Sequence, residues 1–316
     1  MSESSILEAS APGSIMLMGE HAVLRGGTAL ACAVDRYIHI RLVPRNDRQV
    51  NISSALGDYS ATLEHLPDDV DLSFVVAALQ SWREVLPGGF DLSIQSEFSH
   101  TLGLGSSAAV VAALTALLDR FADTGLTREQ QFDRALKVIH QVQNGRGSGT
   151  DLAASLYGGV IAYRVNPRQL RPLKGLPTLG LWYVGYKMKT PEVLALVERK
   201  SQRYPSLYEG LDRLMAQCSE KTAEAVDAED WNATGELMNL YQGLMDALGV
   251  NDARLSELVY ALRARDGVWG AKISGSGLGD CVVCLGEAGD LDLPYERIAV
   301  GVSAPGVRIT TVETGD

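Results

Sequence analysis

The sequence lacks a long hydrophobic run, a basic segment and a leader-like N-terminus. Its longest apolar run, 108–118, is interrupted by Thr115 and is too short to cross a bilayer. The N-terminal residues 1–5 carry no basic region followed by an apolar one, so the sequence predicts no signal peptide. A net charge of −11, without a run of basic residues, disfavours a broad nucleic-acid surface. We therefore expect a cytoplasmic protein that binds neither membranes nor nucleic acid.

Cysteine is also scarce, with four residues in a chain of 316. Cys281 and Cys284 have the CxxC spacing, but no second pair of cysteines or histidines lies nearby at a spacing typical of zinc sites. The surrounding residues, 279–285, form a short apolar run that favours a buried strand. We therefore predict that these thiols belong to the core, and we expect no disulfide in a reducing cytoplasm.

The 46% hydrophobic content is sufficient for a large core, and the length fits one or two domains. The first half of the chain mixes short strands with helices. In the second half, the hydrophobic pattern predicts one strand, then three or four helices and then further strands. Between the halves, 166–177 contains three prolines and Gly175, a composition typical of a boundary. We therefore predict domains at 1–170 and 171–316.

A glycine-serine loop at 101–109 lies between a predicted strand and a predicted apolar helix. Gly103 and Gly105 permit a tight turn and a close approach of a ligand to the backbone. Ser106 and Ser107 stand at the helix start, where N–H groups and the positive end of the helix dipole attract anions. The loop fits either a phosphate site or an ordinary glycine turn with a serine N-cap.

A second glycine-rich segment, 143–151, ends at Asp151 and leads into another short apolar helix. Aspartate is a common N-cap, which gives a purely structural interpretation of this residue. A carboxylate that faces a bound phosphate also suits a base that accepts a hydroxyl proton during phosphoryl transfer.

Two further segments add polar groups at strand ends. A third glycine loop, 274–279, lies between two predicted strands. Near the N-terminus, an apolar strand ends at Glu20 and His21, which this position would place beside a pocket. Each of these signals is weak alone, and their significance depends on their order along the chain.

That order resembles the GHMP kinases, the superfamily that includes galactokinase, homoserine kinase, mevalonate kinase and phosphomevalonate kinase. The three family motifs correspond to 11–24, 103–109 and 270–281, and the resemblance extends over nearly the whole chain. Within the superfamily, the GEHAVL sequence at 19–24 and the segment 237–250 look most like mevalonate kinases.

The resemblance implies an α+β fold with two domains. The N-terminal domain would be a mixed sheet with helices, similar to ribosomal protein S5 domain 2, and the C-terminal domain a ferredoxin-like α/β sandwich. The implied activity is ATP-dependent phosphorylation of the hydroxyl of a small hydroxy-acid, with (R)-mevalonate as the expected acceptor. ATP and Mg²⁺ are the implied cofactors, and a homodimer is one option for the assembly.

The family motifs also imply roles for individual residues. Asp151 would be the catalytic base, and Ser106 or Ser107 would help to hold Mg²⁺. The residues expected to bind ATP are Gly103, Leu104, Gly105, Ser106, Ser107 and Ala108. The residues expected to bind the acceptor are Glu20, His21, Gly275 and Ser276.

Two positions depart from the mevalonate kinase pattern. Mevalonate kinases usually carry lysine where Ser14 stands and a magnesium-binding glutamate where His140 stands. Imidazole does not suit Mg²⁺, which prefers oxygen ligands. The candidates for the missing positive charge, each of which also fits an ordinary surface position, are Arg146, Lys187, Lys189 and Lys272.

The departures leave two alternatives open. The first alternative is a phosphomevalonate kinase or another GHMP kinase that acts on a small molecule. The segment around Asp151, together with Gly279-Asp280-Cys281, looks more like phosphomevalonate kinase, although the modest number of basic residues favours a less charged acceptor. A relative that binds a ligand without catalysis is the second alternative, against which the retained Asp151 and the three loops argue.

Overall fold

The structure, a computed structural model, describes residues 5–99, 102–289 and 294–312. Within these residues the chain forms an eight-stranded sheet and a four-stranded sheet, each associated with helices. No helix in the described ranges is both long and apolar enough to cross a membrane. The four cysteines are unpaired and buried, which confirms the predicted place of Cys281 and Cys284 in the core.

The larger sheet has the strand order β12-β1-β2-β5-β3-β4, and β6 and β7 extend it beside β2. Its pairings are antiparallel except for the parallel pair β3–β5. The strands are β1 (Ile6–Met18), β2 (Ala29–Pro44), β3 (Gln49–Ser54), β4 (Gly57–Thr62), β5 (Phe90–Ser96), β6 (Val160–Arg164), β7 (Gln169–Leu173) and β12 (Arg308–Val312).

Four helices accompany the larger sheet: α1 (Ser73–Trp82), α2 (Ser106–Ala122), α3 (Arg128–Val142) and α4 (Thr150–Tyr157). Helix α2 is apolar around most of its circumference, because it packs against β1 and β2 as well as against α1, α3 and α4. Thr127 caps α3, since its hydroxyl accepts the Gln130 N–H at 3.2 Å. The packing of α2 and α4 on β1 brings their N-terminal ends to the first motif.

The smaller sheet has the strand order β11-β8-β10-β9. Its strands are β8 (Leu179–Lys187), β9 (Val268–Ser274), β10 (Gly279–Gly286) and β11 (Glu296–Ile298). The four helices between β8 and β9 are α5 (Thr190–Arg203), α6 (Pro205–Asp227), α7 (Trp231–Leu248) and α8 (Ala253–Arg263). Helices α7 and α8 pack on β9.

Most strands of the larger sheet lie before the predicted division at residue 170, and those of the smaller sheet lie after it. Two strands of the larger sheet depart from this division. Strand β7 lies inside the proline-rich segment 166–177 and pairs with β6 of the larger sheet. Strand β12 also joins the larger sheet, where Ile6 pairs with Val312 at the edge of β1. The division at residue 170 stays a prediction, since β7 spans it and β12 lies beyond it, and both strands belong to the larger sheet.

A buried ion pair joins the two sheets. Lys272 on β9 lies with its Nζ 2.6 Å from Oε1 of Glu20, which follows β1, and both side chains are at most 2% exposed. The Tyr241 hydroxyl on α7 donates to the Glu20 carbonyl oxygen at 2.7 Å. On the same side, the Ser274 hydroxyl donates to the Met16 carbonyl oxygen at 2.9 Å. The first motif is therefore fixed to the smaller sheet by polar contacts that are shielded from water.

Breaking this ion pair from one side is expected to destabilise the protein strongly. Lys272→Met leaves the Glu20 carboxylate buried without its counter-charge, which costs about 3–5 kcal/mol. The double variant Glu20→Gln/Lys272→Met removes both charges and should recover much of that loss. Urea unfolding of both variants measures the difference, with Lys221→Met at an exposed ion pair as the control. Equal stability of the single and double variants would contradict a coupled pair.

Candidate active site

The glycine-serine loop leads directly into α2. Gly103 and Gly105 have φ angles of 65° and 63°, in the left-handed region that glycine adopts most readily. Helix α2 begins at Ser106, and both loop serines are half-buried. A glycine turn at a helix start fits the predicted phosphate loop. Thr101, with which the predicted segment begins, lies outside the described residues.

The first motif packs tightly against this loop. The Ser14 N–H donates to the Leu104 carbonyl oxygen at 3.0 Å. A Cβ atom on Gly13 would lie 2.8 Å from that oxygen, and one on Gly105 would lie 2.2 Å from the Ser14 hydroxyl. Any larger residue at either position would displace one backbone segment from the other. The two glycines therefore allow the first motif and the phosphate loop to touch.

Asp151 lies in the first turn of α4, beside Gly105. Its Oδ1 accepts a hydrogen bond from the fully buried Ser14 hydroxyl at 2.8 Å. A Cβ atom on Gly105 would lie 3.4 Å from the Asp151 Cβ. The N-cap position of α4 belongs to Gly149 and has no side-chain cap, so the N-cap interpretation of Asp151 is wrong.

Burial raises the pKa of Asp151 above its ordinary value. The hydrogen bond from Ser14 and the nearby Lys187 ammonium oppose this effect, whereas the Asp280 carboxylate adds to it. A buried carboxylate with a raised pKa accepts a proton more readily than an exposed one. The geometry and electrostatics of Asp151 therefore fit the predicted base.

The His140 side chain makes a structural hydrogen bond and is not placed as a metal ligand. Its Nε2 lies 3.0 Å from the carbonyl oxygen of Gly147, so that nitrogen must carry the proton. Gly147 and Gly149 both have positive φ angles, 103° and 86°, in the segment that leads to Asp151. His140 thus ties the end of α3 to this segment.

The third loop meets the end of the first motif. His21 Nε2 lies 2.9 Å from the Ser276 carbonyl oxygen, and burial lowers the pKa of His21. The Gly275 N–H donates to Oε1 of Glu20 at 3.4 Å. The four residues predicted to bind the acceptor therefore come together, but Glu20 is already paired with Lys272.

The four candidate cations have different environments. Lys272 is fully buried, bonded to Glu20 and to the Ile273 carbonyl oxygen. This placement argues against the expectation that Lys272 stabilises charge on a phosphoryl group. Lys187 lies with its Nζ 2.6 Å from Oδ2 of Asp280, while Lys189 is exposed just before α5.

Arg146, the fourth candidate, is exposed and lines a cavity of about 440 Å³ together with His21. Arg25 lies in the same wall and is paired with Glu198 at 3.1 Å and with Asp212 at 3.8 Å. The cavity thus combines two cations with two carboxylates. A space of this size and polarity next to His21 suits a small polar acceptor.

Two parts of the site are absent from the sequence-based prediction. Asp280 lies in the third motif but is not among the predicted site residues, although a carboxylate directly after a glycine loop is a usable signal. Arg25 and Asp212 line the cavity from a short 3₁₀ helix and from α6. No pattern in the sequence distinguishes these two from other surface charges.

The residues near the phosphate loop fit an Mg²⁺ ion that is held partly by the protein and partly by substrate phosphates. Mg²⁺ binds through oxygen atoms and is commonly held by one or two protein groups together with substrate phosphates. Ser106, Ser107 and Asp151 offer such oxygens at the start of α2 and α4. No cluster of three or more His, Cys, Asp or Glu side chains suited to a metal occurs in the described part of the chain. These residues therefore suit a metal ion that binds together with the nucleotide.

A helix-start anion site beside a half-buried carboxylate is the arrangement of an enzyme that moves phosphoryl groups. The sequence profile of the GHMP kinase N-terminal domain matches residues 73–159, and that of the GHMP kinase C-terminal domain matches 222–293. The galactose-binding signature of galactokinases matches 2–42. The mevalonate kinase of Pyrococcus abyssi is 32% identical over 330 residues, covering 96% of this chain and 98% of that protein. The chain belongs to the GHMP kinase family, and it is similar over nearly its whole length to mevalonate kinases of that family.

Solved structures share the fold. A protein from Listeria innocua superposes with a TM-score of 0.85 at 22% identity, covering 96% of this chain and 99% of that one. The L. major mevalonate kinase in complex with R-mevalonate superposes with a TM-score of 0.74 at 24% identity, covering 92% and 89%. The predicted two-domain GHMP kinase fold is therefore confirmed.

Asp151→Asn is expected to abolish most of the activity while the fold is retained. The substitution preserves the shape of the side chain and its hydrogen bond from Ser14 but removes the proton acceptor. Loss of a general base lowers kcat roughly 10²–10⁴-fold. Steady-state kinetics of the purified variant, with His140→Gln as a nearby control, measures the effect. Near-normal turnover by Asp151→Asn would exclude Asp151 from the reaction.

The same variant is expected to be more stable than the wild type at neutral pH. Because the pKa of Asp151 is raised in the folded state, its charged form disfavours folding once the pH exceeds the ordinary value of about 3.9. The stability difference should grow as the pH rises from that value through the folded-state pKa, and then stay constant. Urea unfolding at several pH values measures it, and a variant that is less stable than the wild type at pH 7 would contradict the raised pKa.

Proposed function

We propose that this protein transfers the γ-phosphoryl group of ATP to the hydroxyl of (R)-mevalonate and forms 5-phosphomevalonate. The observation that carries the reaction type is the half-buried Asp151 carboxylate beside the phosphate loop. The choice of acceptor is supported by the similarity to mevalonate kinases over 96% of the chain. The cytoplasmic location and the homodimer stay predictions.

The residues divide the work between donor and acceptor. The N–H groups of residues 103–108 would hold the phosphates of ATP at the start of α2. Asp151 would accept the proton of the acceptor hydroxyl as the oxygen attacks the γ-phosphorus and ADP leaves. His21 is held by Ser276 at the edge of the cavity, where its imidazole would contact the acceptor.

Mg²⁺ would be held by Ser106 or Ser107 and by the ATP phosphates. When bound, it would neutralise charge on the phosphates. The protein would contribute the serine hydroxyl oxygens at the start of α2. These would serve instead of the family's magnesium-binding glutamate, because His140 stands at that position. We therefore propose that the metal depends more on the nucleotide than on a dedicated protein carboxylate.

The charges of the cavity support mevalonate over its phosphorylated product as the acceptor. The cavity wall holds two cations, Arg25 and Arg146, and two carboxylates, Glu198 and Asp212, both of which pair with Arg25. A carboxylate alone requires one cation, whereas a carboxylate and a phosphate together require more. The cavity therefore offers little excess positive charge for a phosphorylated acceptor.

An ATP-consumption assay with mevalonate, 5-phosphomevalonate and homoserine compared side by side tests the function. We expect turnover with mevalonate and much lower kcat/KM values with the other two acceptors. Turnover with 5-phosphomevalonate alone would place the enzyme at the next phosphorylation. The absence of turnover with all three, in a protein that still binds ATP, would favour a non-catalytic relative.

Arg146→Ala is expected to weaken acceptor binding more than it slows the chemical step. Arg146 lines the cavity, and among the described residues its side chain makes no hydrogen bond or ion pair, so its guanidinium is available to a carboxylate. Loss of a charge-assisted hydrogen bond should raise the KM for mevalonate about tenfold or more. Steady-state kinetics measures this, with Arg171→Ala on β7 as the control. An unchanged KM would remove Arg146 from the acceptor site.

A further inference from the structure

Asp280 has an unusual conformation at the edge of the site. It is a non-glycine residue with a φ of 71°, and it sits at an irregularity in the pairing of β10 with β8, between Gly279 and Cys281. Such irregularities redirect a side chain out of the regular alternation of a strand. Asp280 is only 5% exposed, and its Oδ1 is buried without a hydrogen-bond partner among the described residues. Strain and an unsatisfied buried oxygen are costs that persist mainly where function requires them.

The Asp280 carboxylate lies between two glycine loops. A Cβ atom on Gly103 of the phosphate loop would lie 2.4 Å from Asp280 Oδ1. A Cβ atom on Gly275 of the third loop would lie 3.2 Å from Asp280 Oδ2. The carboxylate therefore fills the space where the donor loop meets the third loop, and glycine at 103 is required for that contact.

The Asp280 carboxylate also holds a lysine at this junction. Lys187 is the last residue of β8, and its Nζ lies 2.6 Å from Asp280 Oδ2 while about a third of its side chain stays exposed. An ammonium has three N–H donors, so this ion pair leaves others available to a ligand. The positive charge of Lys187 also acts on Asp151, where it favours the ionised carboxylate.

We propose that Lys187, held in place by Asp280, supplies the positive charge beside the transferred phosphoryl group that Ser14 cannot supply. The group of Ser14 that contacts Asp151 is a neutral hydroxyl, which carries no positive charge. Lys272 is buried against Glu20, and the cations Arg25 and Arg146 line the acceptor cavity. Lys187 contacts the phosphate donor, and Asp280 is a positioning residue that acts through it. This inference rests on the proposed kinase activity.

The kinetic test compares Lys187→Met, Asp280→Asn and the double variant. Removal of one preorganised cationic donor should lower kcat roughly 100-fold, and Lys187→Arg should restore part of it. Because Asp280 acts through Lys187, the double variant should be no slower than Lys187→Met alone. Lys221→Met, which breaks an exposed ion pair of 2.7 Å, should leave kcat unchanged.

A binding measurement separates this inference from the choice of acceptor. Isothermal titration with Mg²⁺ and either a non-hydrolysable ATP analogue or ADP needs no acceptor. Lys187→Met should weaken binding of the ATP analogue about tenfold and leave ADP binding unchanged, because the ammonium acts on the γ-phosphoryl group. If mevalonate is not the acceptor, the kinetic assay fails in the wild type while this difference persists.

Three outcomes would overturn the inference. The first is a folded Lys187→Met variant with normal kcat and normal affinity for the ATP analogue. The second is an additive loss in the double variant, which would mean that Asp280 acts independently of Lys187. The third is an Asp280→Asn variant that needs more Mg²⁺ while Lys187→Met does not, which would make Asp280 a metal ligand instead.

Discussion

The buried ion pair between Glu20 and Lys272 is the contact on which the arrangement of the site depends. It lies where β1 of the larger sheet meets β9 of the smaller sheet, and both side chains are removed from water. A charge buried in this way is tolerated only while its partner stays in place, so the pair has one favourable geometry. The contacts of His21 with Ser276 and of Ser274 with Met16 extend the same junction. The first motif therefore contacts both the third loop and the phosphate loop.

The close approach of three backbone loops is the second constraint, and the glycines make it possible. Gly105 touches Ser14 and lies beside Asp151, while Gly103 touches Asp280. A side chain at either position would separate the donor loop from the groups that act on the phosphoryl transfer. The site is thus built from backbone proximity, with few charges, and two of its lysines, Lys187 and Lys272, are already paired with carboxylates. This explains how an acidic protein with a net charge of −11 provides a binding place for a highly charged nucleotide.

Much of the fold and the centre of the site could be predicted from the sequence, because those signals are local. The apolar run after the glycine-serine loop identified α2, and glycines before a helix start identified the loops at 103–108 and at Asp151. The contacts that decide the roles of individual charges are not local. Glu20 and Lys272 are 252 residues apart, so nothing near Lys272 indicated that its charge is neutralised. The return of β12 to β1 and the redirection of Asp280 likewise depend on tertiary pairing.

The central claim is that Asp151 and the phosphate loop hold acceptor and donor on opposite sides of one reacting phosphoryl group. A crystal structure of the ternary complex with mevalonate, Mg²⁺ and a non-hydrolysable ATP analogue tests this directly. The account predicts the acceptor hydroxyl within about 2.6–3.2 Å of the Asp151 carboxylate, with the γ-phosphate at the start of α2. An acceptor bound away from Asp151, or a nucleotide bound away from residues 103–108, would contradict it.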